Sequence, residues 1–313
     1  MTKVMNYNLG NNSMSFLLIS LIVVMLPTLT SAQTEQKQLT NAEKLHNLKL
    51  DSTNVGELVY YSKGYSERAE VIGKKIENAK LFYLDSLNID VQIKIALLDT
   101  TDYNSMTLSV PYGLPFVNNG LIFQPADTSI GAARGMYAPF ASTASNKVIS
   151  NLNNAGFEYK DALNFMVDLI ALHELGHTQV YSYELDAKQA WFNEFMASYF
   201  GYAYMKIKEP KMAVIWDNIT HAGFEGHVPN HQTLNEFNEL YFGVGVGDYV
   251  WFQNAFQERI RDVYSKRGLD FIRLAKEKLS DSAFQPKTSL ELLEALEEIE
   301  PGFIKWAETL EQK

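Results

Sequence analysis

Residues 173–177 read His173-Glu174-Leu175-Gly176-His177, a pattern in which two histidines stand four positions apart. Because an α-helix turns every 3.6 residues, both imidazoles lie on one face and can bind a single metal ion. Glu174 follows the first histidine and can reach a water molecule beside that ion. The flanking residues predict a helix with one inward stripe, formed by Met166, Leu169, Ile170, His173, His177 and Val180. We therefore expect a zinc site at a seam between two helices.

A third ligand is needed, since two histidines on an apolar face can also be hydrogen-bonded core residues. Catalytic zinc takes three protein ligands and keeps an open position for water. Glu194 follows His177 by 17 residues, within Asn193-Glu194-Phe195-Met196-Ala197. That spacing fits a turn followed by an antiparallel helix. Its neighbours are aromatic, namely Trp191, Phe195, Tyr199 and Tyr202. A carboxylate buried among them requires a cation, which predicts that Glu194 is a metal ligand.

The two motifs together, HExxH followed by NExxA, resemble those of the gluzincin zinc metallopeptidases, the thermolysin- and aminopeptidase-like group. The resemblance is specific over residues 161–207 and weaker over 57–265, where the order of elements is similar to that of the small bacterial, MA-type members. It implies zinc bound by His173, His177 and Glu194, with Glu174 as general base. Thermolysin-like members carry an aspartate four residues after the glutamate ligand. Here that residue is Ser198, which leaves the partner of His173 open.

The resemblance also implies a Tyr or His from a downstream segment that donates to the oxyanion of the reaction. We favour Tyr249, because Asp248 can cap a helix that begins there and the preceding glycines let the backbone approach the site. Tyr241, His231 and His227 remain alternatives. The histidines at 221, 227 and 231 could suggest a second metal site, but their spacing in a predicted loop favours ordinary polar residues.

A peptide or protein substrate is the partner that the resemblance implies, bound along an exposed strand edge. The family has such a strand shortly before the zinc helix. Gly120-Leu121-Ile122, after the turn signal Asn118-Asn119-Gly120, fits this description. Residues 112–115 would be its hairpin partner. The alternative is a hairpin that only packs on the core.

Strand patterns come first along the chain and helical patterns later, which predicts an α+β fold. A helix is expected over 64–86, a strand over 91–97 and extended segments over 107–124. Loops are expected over 127–147 and, for the most part, over 221–248. Further helices are predicted at 161–181, 187–207, 249–265, 268–280 and 289–311. The predicted domain is a gluzincin-like catalytic domain over 57–313, with a β-containing half at about 57–160 and a helical half at about 161–313.

Composition narrows the function classes. The 313 residues include 27 Lys and Arg against 37 Asp and Glu, a formal charge of −10, which argues against a nucleic-acid partner. The absence of cysteine excludes disulfides, thiolate ligands and thiol nucleophiles. Two other functions stay open: a zinc hydrolase that acts on a non-peptide amide or ester, and a non-catalytic zinc-containing binding or envelope protein.

The N-terminus reads as an export signal. Residues 1–32 contain an apolar run at 16–25 and small residues before Gln33. The run is shorter than the roughly 20 residues that span a bilayer, so we expect cleavage, no stable membrane span and a periplasmic or extracellular protein. Residues 33–56 are predicted to be a polar lead-in.

Overall fold

The computed structural model describes residues 40–279 and 285–312, and over these ranges it contains five strands and thirteen α-helices. The predicted signal peptide lies outside the described residues. The strands are β1 (Asp51–Thr53), β2 (Val59–Tyr61), β3 (Lys94–Leu98), β4 (Phe116–Asn118) and β5 (Leu121–Pro125). The first helices are α1 (Asn41–Asn47), α2 (Ser66–Leu87), α3 (Thr100–Ser105), α4 (Ala132–Tyr137), α5 (Asn146–Asn154), α6 (Tyr159–Ser182) and α7 (Ala190–Lys208). They are followed by α8 (Pro210–Gly226), α9 (Leu234–Leu240), α10 (Val246–Arg267), α11 (Asp270–Leu279), α12 (Ser289–Ile299) and α13 (Phe303–Leu310). Short 3-10 helices occupy Ala138–Ser142 and Tyr241–Val244.

The five strands form one sheet in the order β1-β2-β3-β5-β4. β2, β3 and β5 run parallel, while β1 and β4 pair antiparallel at the two edges. The predicted turn is confirmed, since β4 and β5 form a hairpin around Asn119 and Gly120, both at positive φ. A small sheet combined with many helices is an α+β architecture, as predicted.

The prediction that Gly120-Leu121-Ile122 form the exposed edge is wrong. Leu121 and Ile122 belong to β5, which is hydrogen-bonded to β3 on one side and to β4 on the other. The free edge at this end of the sheet is therefore β4. Local sequence could not reveal this order, because the parallel partner of Ile122 is Ile95, on a strand that is distant along the chain.

Alternation along the inner strands places the sheet between two apolar layers. Ile95, Leu97 and Ile122 belong to the main core, which they share with α2, α6, α7 and α10. Leu98 and Phe123 point to the other face, into a smaller cluster beneath α1 and α3. The β-containing and helical halves thus share one main hydrophobic core.

The central helices α6 and α7 are close to the predicted 161–181 and 187–207, and both are buried over most of their length. They approach each other closely at Gly176. A Cβ atom there would lie 2.3 Å from the backbone oxygen of Ala197. Glycine at this position therefore brings the backbone of α7 against the helix that carries His173 and His177.

Elsewhere the structure has more helix than predicted. The predicted loop at 127–147 contains α4, a 3-10 helix and the start of α5, and 221–248 contains the end of α8, all of α9 and the start of α10. The helix expected at 289–311 is broken at Pro301-Gly302, where Gly302 has φ +104°. Residues 40–56, expected as a polar lead-in, form α1 and β1.

Within residues 40–279 and 285–312, none of the helices combines the length and the apolar character needed to span a bilayer.

Candidate metal centre

Three side chains from the central helix pair converge at the core of the molecule. His173 and His177 project from α6, and their Nε2 atoms are 3.1 Å apart. Glu194 projects from α7, with Oε2 3.1 Å from His173 Nε2 and Oε1 3.6 Å from His177 Nε2. The residue Glu194 is only 2% exposed, so its carboxylate has little access to solvent. The structure brings together the three residues that the sequence predicted as ligands, and we call His173, His177 and Glu194 the ligand triangle.

The spacing of these atoms can be compared with that of a metal site. Tetrahedral zinc with bonds of 2.0–2.1 Å has ligand atoms about 3.3 Å apart, close to the three distances above. The buried group His173, Glu174 and His177 could also hold a metal ion. However, Glu174 Oε1 is 3.9 Å from His173 Nε2, farther away than Glu194. Geometry therefore favours Glu194 as the third ligand and leaves Glu174 beside the site.

Ser198 answers the open question of what orients His173. Its Oγ lies one turn after Glu194 on α7 and 2.9 Å from His173 Nδ1. A serine hydroxyl can accept the Nδ1 proton, which leaves the lone pair of Nε2 directed at the ligand triangle. The partner of His173 that the sequence left open is therefore the hydroxyl of Ser198.

Glu194 is held by two uncharged donors that belong to other elements. The Tyr241 hydroxyl donates to Oε1, and the side-chain amide of Gln253, on α10, donates to Oε2 at 2.8 Å. Sequence reasoning named Tyr241 only as an alternative oxyanion donor and missed Gln253. The available signal was the i,i+4 spacing of Tyr249 and Gln253, which places both on one face of a helix.

The carboxylates of Glu174 and Glu194 have pKa values shifted in opposite directions. Burial opposes ionisation of Glu194, but His177 and His173 hold its pKa well below the usual value. Burial also opposes the charged form of His177, yet Glu194 raises the pKa of that imidazole to about 9. Burial raises the pKa of Glu174, and the negative charge of Glu194 raises it further, although His173 and His177 act in the opposite direction. Glu194 is thus the anchored anion, while Glu174 is the carboxylate with the greater affinity for a proton.

Glu174 also touches the sheet edge. The backbone N–H of Val117, in β4, donates to Glu174 Oε2 at 2.9 Å. The free edge of the sheet therefore runs directly past the carboxylate beside the ligand triangle. Gly120, Leu121 and Ile122 do not line this cavity.

A cavity of about 380 Å³ opens over the triangle. Its lining is largely apolar and aromatic, with Val110, Leu114, Pro115, Phe116, Val117, Met136, Tyr137, Ile170, Trp216, Phe242, Tyr249 and Val250. Among the described residues that line it there is no lysine or arginine, and the only carboxylates are Glu174 and Glu194.

The residues predicted as possible oxyanion donors, which follow α7 in the chain, fall into two groups. Tyr249 and Tyr241 line the cavity, and burial, Glu194 and the neighbouring Tyr241 together raise the pKa of Tyr249 well above its usual value. His227 and His231 are outside the lining; their rings lie 2.8 and 2.9 Å from the carboxylate of Asp248. The prediction that Asp248 caps this helix is wrong, since α10 already begins at Val246. The Asp248 carboxylate instead accepts hydrogen bonds from these two histidine rings and from two backbone N–H groups.

His221 lies apart from the other two histidines. It is on α8, in contact with Glu225 and Glu258. Among the described residues, no group of histidines and carboxylates close enough to hold a metal ion lies away from His173, Glu174 and His177.

Comparisons with protein-family models, curated proteins and solved structures find no match to this chain. The function proposed below therefore rests on the geometry of the site.

Proposed function

We propose that the chain is an exported, zinc-dependent peptidase of gluzincin type. The observation that carries the proposal is the triangle of His173, His177 and Glu194, with the second carboxylate of Glu174 beside it. A closed structural zinc site normally has four protein ligands, whereas three ligands leave a position for water and substrate. Glu174 provides a base next to that position, which favours a catalytic zinc site over a purely structural one.

The chemistry divides between the metal and the chain. Zinc bound by His173, His177 and Glu194 would supply a Lewis acid that acidifies water and polarises a carbonyl group. Glu174 accepts the proton of the attacking water and returns it to the leaving amine, a role that suits its raised pKa. The Tyr249 hydroxyl donates to the oxyanion that develops on the substrate carbonyl.

The edge of β4 offers the binding site for an extended substrate. Phe116, Val117 and Asn118 pair with β5 on one side only, so their other side can accept the backbone of a peptide as an added strand. This strand replaces Gly120-Leu121-Ile122 in the proposed role. Because the Val117 N–H at this edge donates to Glu174, an added peptide strand would have to take over that donor and would then lie beside the ligand triangle.

A lining whose carboxylates are both engaged, and whose described residues include no lysine or arginine, favours cleavage within a chain over removal of its terminal residue. An aminopeptidase needs a carboxylate for the substrate ammonium group, and a carboxypeptidase needs a cation for the terminal carboxylate. Glu174 and Glu194 are already engaged, and the described residues of the lining include no lysine or arginine. Internally quenched peptides with blocked ends should be hydrolysed at least as fast as the same peptides with free ends.

The test of the function combines metal content with turnover in the purified protein and two variants. We expect one zinc per chain in the wild type, little in Glu194→Ala, and normal zinc but no hydrolysis in Glu174→Gln. A wild type that stays metal-free after incubation with zinc would refute the proposal. Zinc without cleavage of any peptide in a diverse library would favour the binding protein, and cleavage of esters or other amides alone would favour the non-peptide hydrolase.

A further inference from the structure

We propose that Tyr241 and Gln253 are positioning residues that fix the carboxylate of Glu194 for the metal. The inference rests on the proposed zinc site and extends it beyond the ligands themselves. It assigns to Tyr241 a different role from that of an oxyanion donor, and it gives a role to Gln253.

The contacts place one donor on each carboxylate oxygen. Tyr241 donates to Oε1, the oxygen nearer His177, and Gln253 donates to Oε2, the oxygen nearer His173. Because the side chain of Glu194 is 3% exposed, water has little room to replace either donor. Two donors from different elements prevent rotation of the carboxylate plane, so that each oxygen keeps facing one imidazole.

Both donors are neutral, which matters for the metal. A lysine or arginine in either place would compensate the negative charge of Glu194 and compete with a bound cation. An amide and a phenol orient the carboxylate but leave its charge to the metal. The donor pair is therefore suited to ligand positioning rather than to an ion pair of the core.

The backbone at Tyr241 gives an independent indication. Its φ of +48° and ψ of −113° lie in a region that a bulky side chain rarely adopts and that normally requires glycine. Residues held in such conformations cluster at functional sites, where the surrounding structure maintains them. Here the strained residue is the one whose hydroxyl reaches a metal ligand.

The experiment measures the affinity of the protein for metal. Tyr241→Phe and Gln253→Leu each remove one donor and keep most of the side-chain volume. Matched controls are Tyr199→Phe, on α7, whose hydroxyl donates to the Gly268 carbonyl at 2.7 Å, and Gln257→Leu, one turn beyond Gln253 on α10. Zinc dissociation constants come from competition with a chelating dye, and the visible spectrum of the cobalt-substituted protein reports ligand geometry. Denaturant midpoints check the fold.

We expect each donor variant to bind zinc about 10- to 100-fold more weakly than wild type, with an altered cobalt spectrum, while both controls stay within about twofold. Donor variants with wild-type affinity and spectrum would overturn the positioning role, although the zinc site itself would stand. Controls that lose as much affinity as the donor variants would overturn it too, because the loss would then reflect general loosening. A wild type without metal would overturn both this inference and the proposed function.

Discussion

Replacement of Gly176 by alanine should damage the proposed metal site by separating its two helices. A Cβ at this position would lie 2.3 Å from the Ala197 backbone oxygen, against 3.4–4 Å for an ordinary contact, so the backbones must part by about 1 Å. The obstacle is backbone, which cannot rotate away as a side-chain tip can. Since His177 follows directly and Glu194 is less than one turn before Ala197, the separation falls on the ligand triangle.

The size of the effect follows from the tolerance of metal bonds. Ligand distances in a sound site stay within about 0.2 Å of their ideal values, so a separation of about 1 Å detaches Glu194 from the two histidines. We expect zinc affinity to fall by at least about 100-fold, as on loss of a ligand. Overpacking should lower the free energy of unfolding of the metal-free protein by about 1–3 kcal/mol. Dye competition measures the first quantity and denaturant unfolding in a chelator measures the second.

Gly201 provides the matched control, because it lies at the same seam with more room. A Cβ there would be 3.3 Å from the backbone nitrogen of His173, so Gly201→Ala requires a shift of only a few tenths of an ångström. It should retain most zinc affinity. If Gly176→Ala binds zinc as tightly as Gly201→Ala does, the close approach of the helices does not set the ligand triangle and this reasoning is refuted.

Three further changes test other parts of the site. Ser198→Ala removes the partner of His173 and should weaken zinc binding about tenfold in dye competition; unchanged affinity would mean that the hydroxyl does not orient the ring. Tyr249→Phe should lower turnover about 100-fold at normal zinc content, and a wild-type rate in steady-state assays would exclude Tyr249 as the oxyanion donor. Asp248→Asn should lower the free energy of unfolding by about 2 kcal/mol at neutral pH. Burial opposes the charge of Asp248, but its hydrogen-bonded partners lower its pKa below the usual value, so this stabilisation is complete above the unfolded pKa and disappears as pH falls. In denaturant unfolding, the difference in free energy of unfolding between variant and wild type should therefore disappear below about pH 4. A difference that does not change with pH would contradict a stabilising role for the charge of Asp248.

The sequence predicted best where the chemistry is local. The histidines of α6 are four residues apart, so the helix alone places them on one face, and Glu194 follows on the next helix. The ligand triangle needs only these two consecutive helices. The α+β class followed in the same way from the order of strand and helix patterns along the chain.

What could not be predicted depends on contacts between distant segments. Ser198, Gln253 and the N–H of Val117 acquire their roles only when α7, α10 and β4 meet. The misplaced edge strand has the same origin, since parallel pairing of β3 with β5 leaves no short-range signal. The missed α8 is different. Pro210 stands at its first position, where proline is favoured, so a local signal was present.

The succession of α6 and α7 has a consequence for how the protein reaches its native state. Contacts between neighbours in sequence form early, whereas the pairing of β3 with β5 must wait for a longer loop to close. The three proposed ligands all lie on this pair of neighbouring helices. A metal ion that binds His173, His177 and Glu194 at that stage would add its binding free energy to a partly folded chain. At the proposed site, zinc would then act as a folding nucleus, and refolding should be faster when the ion is present from the start.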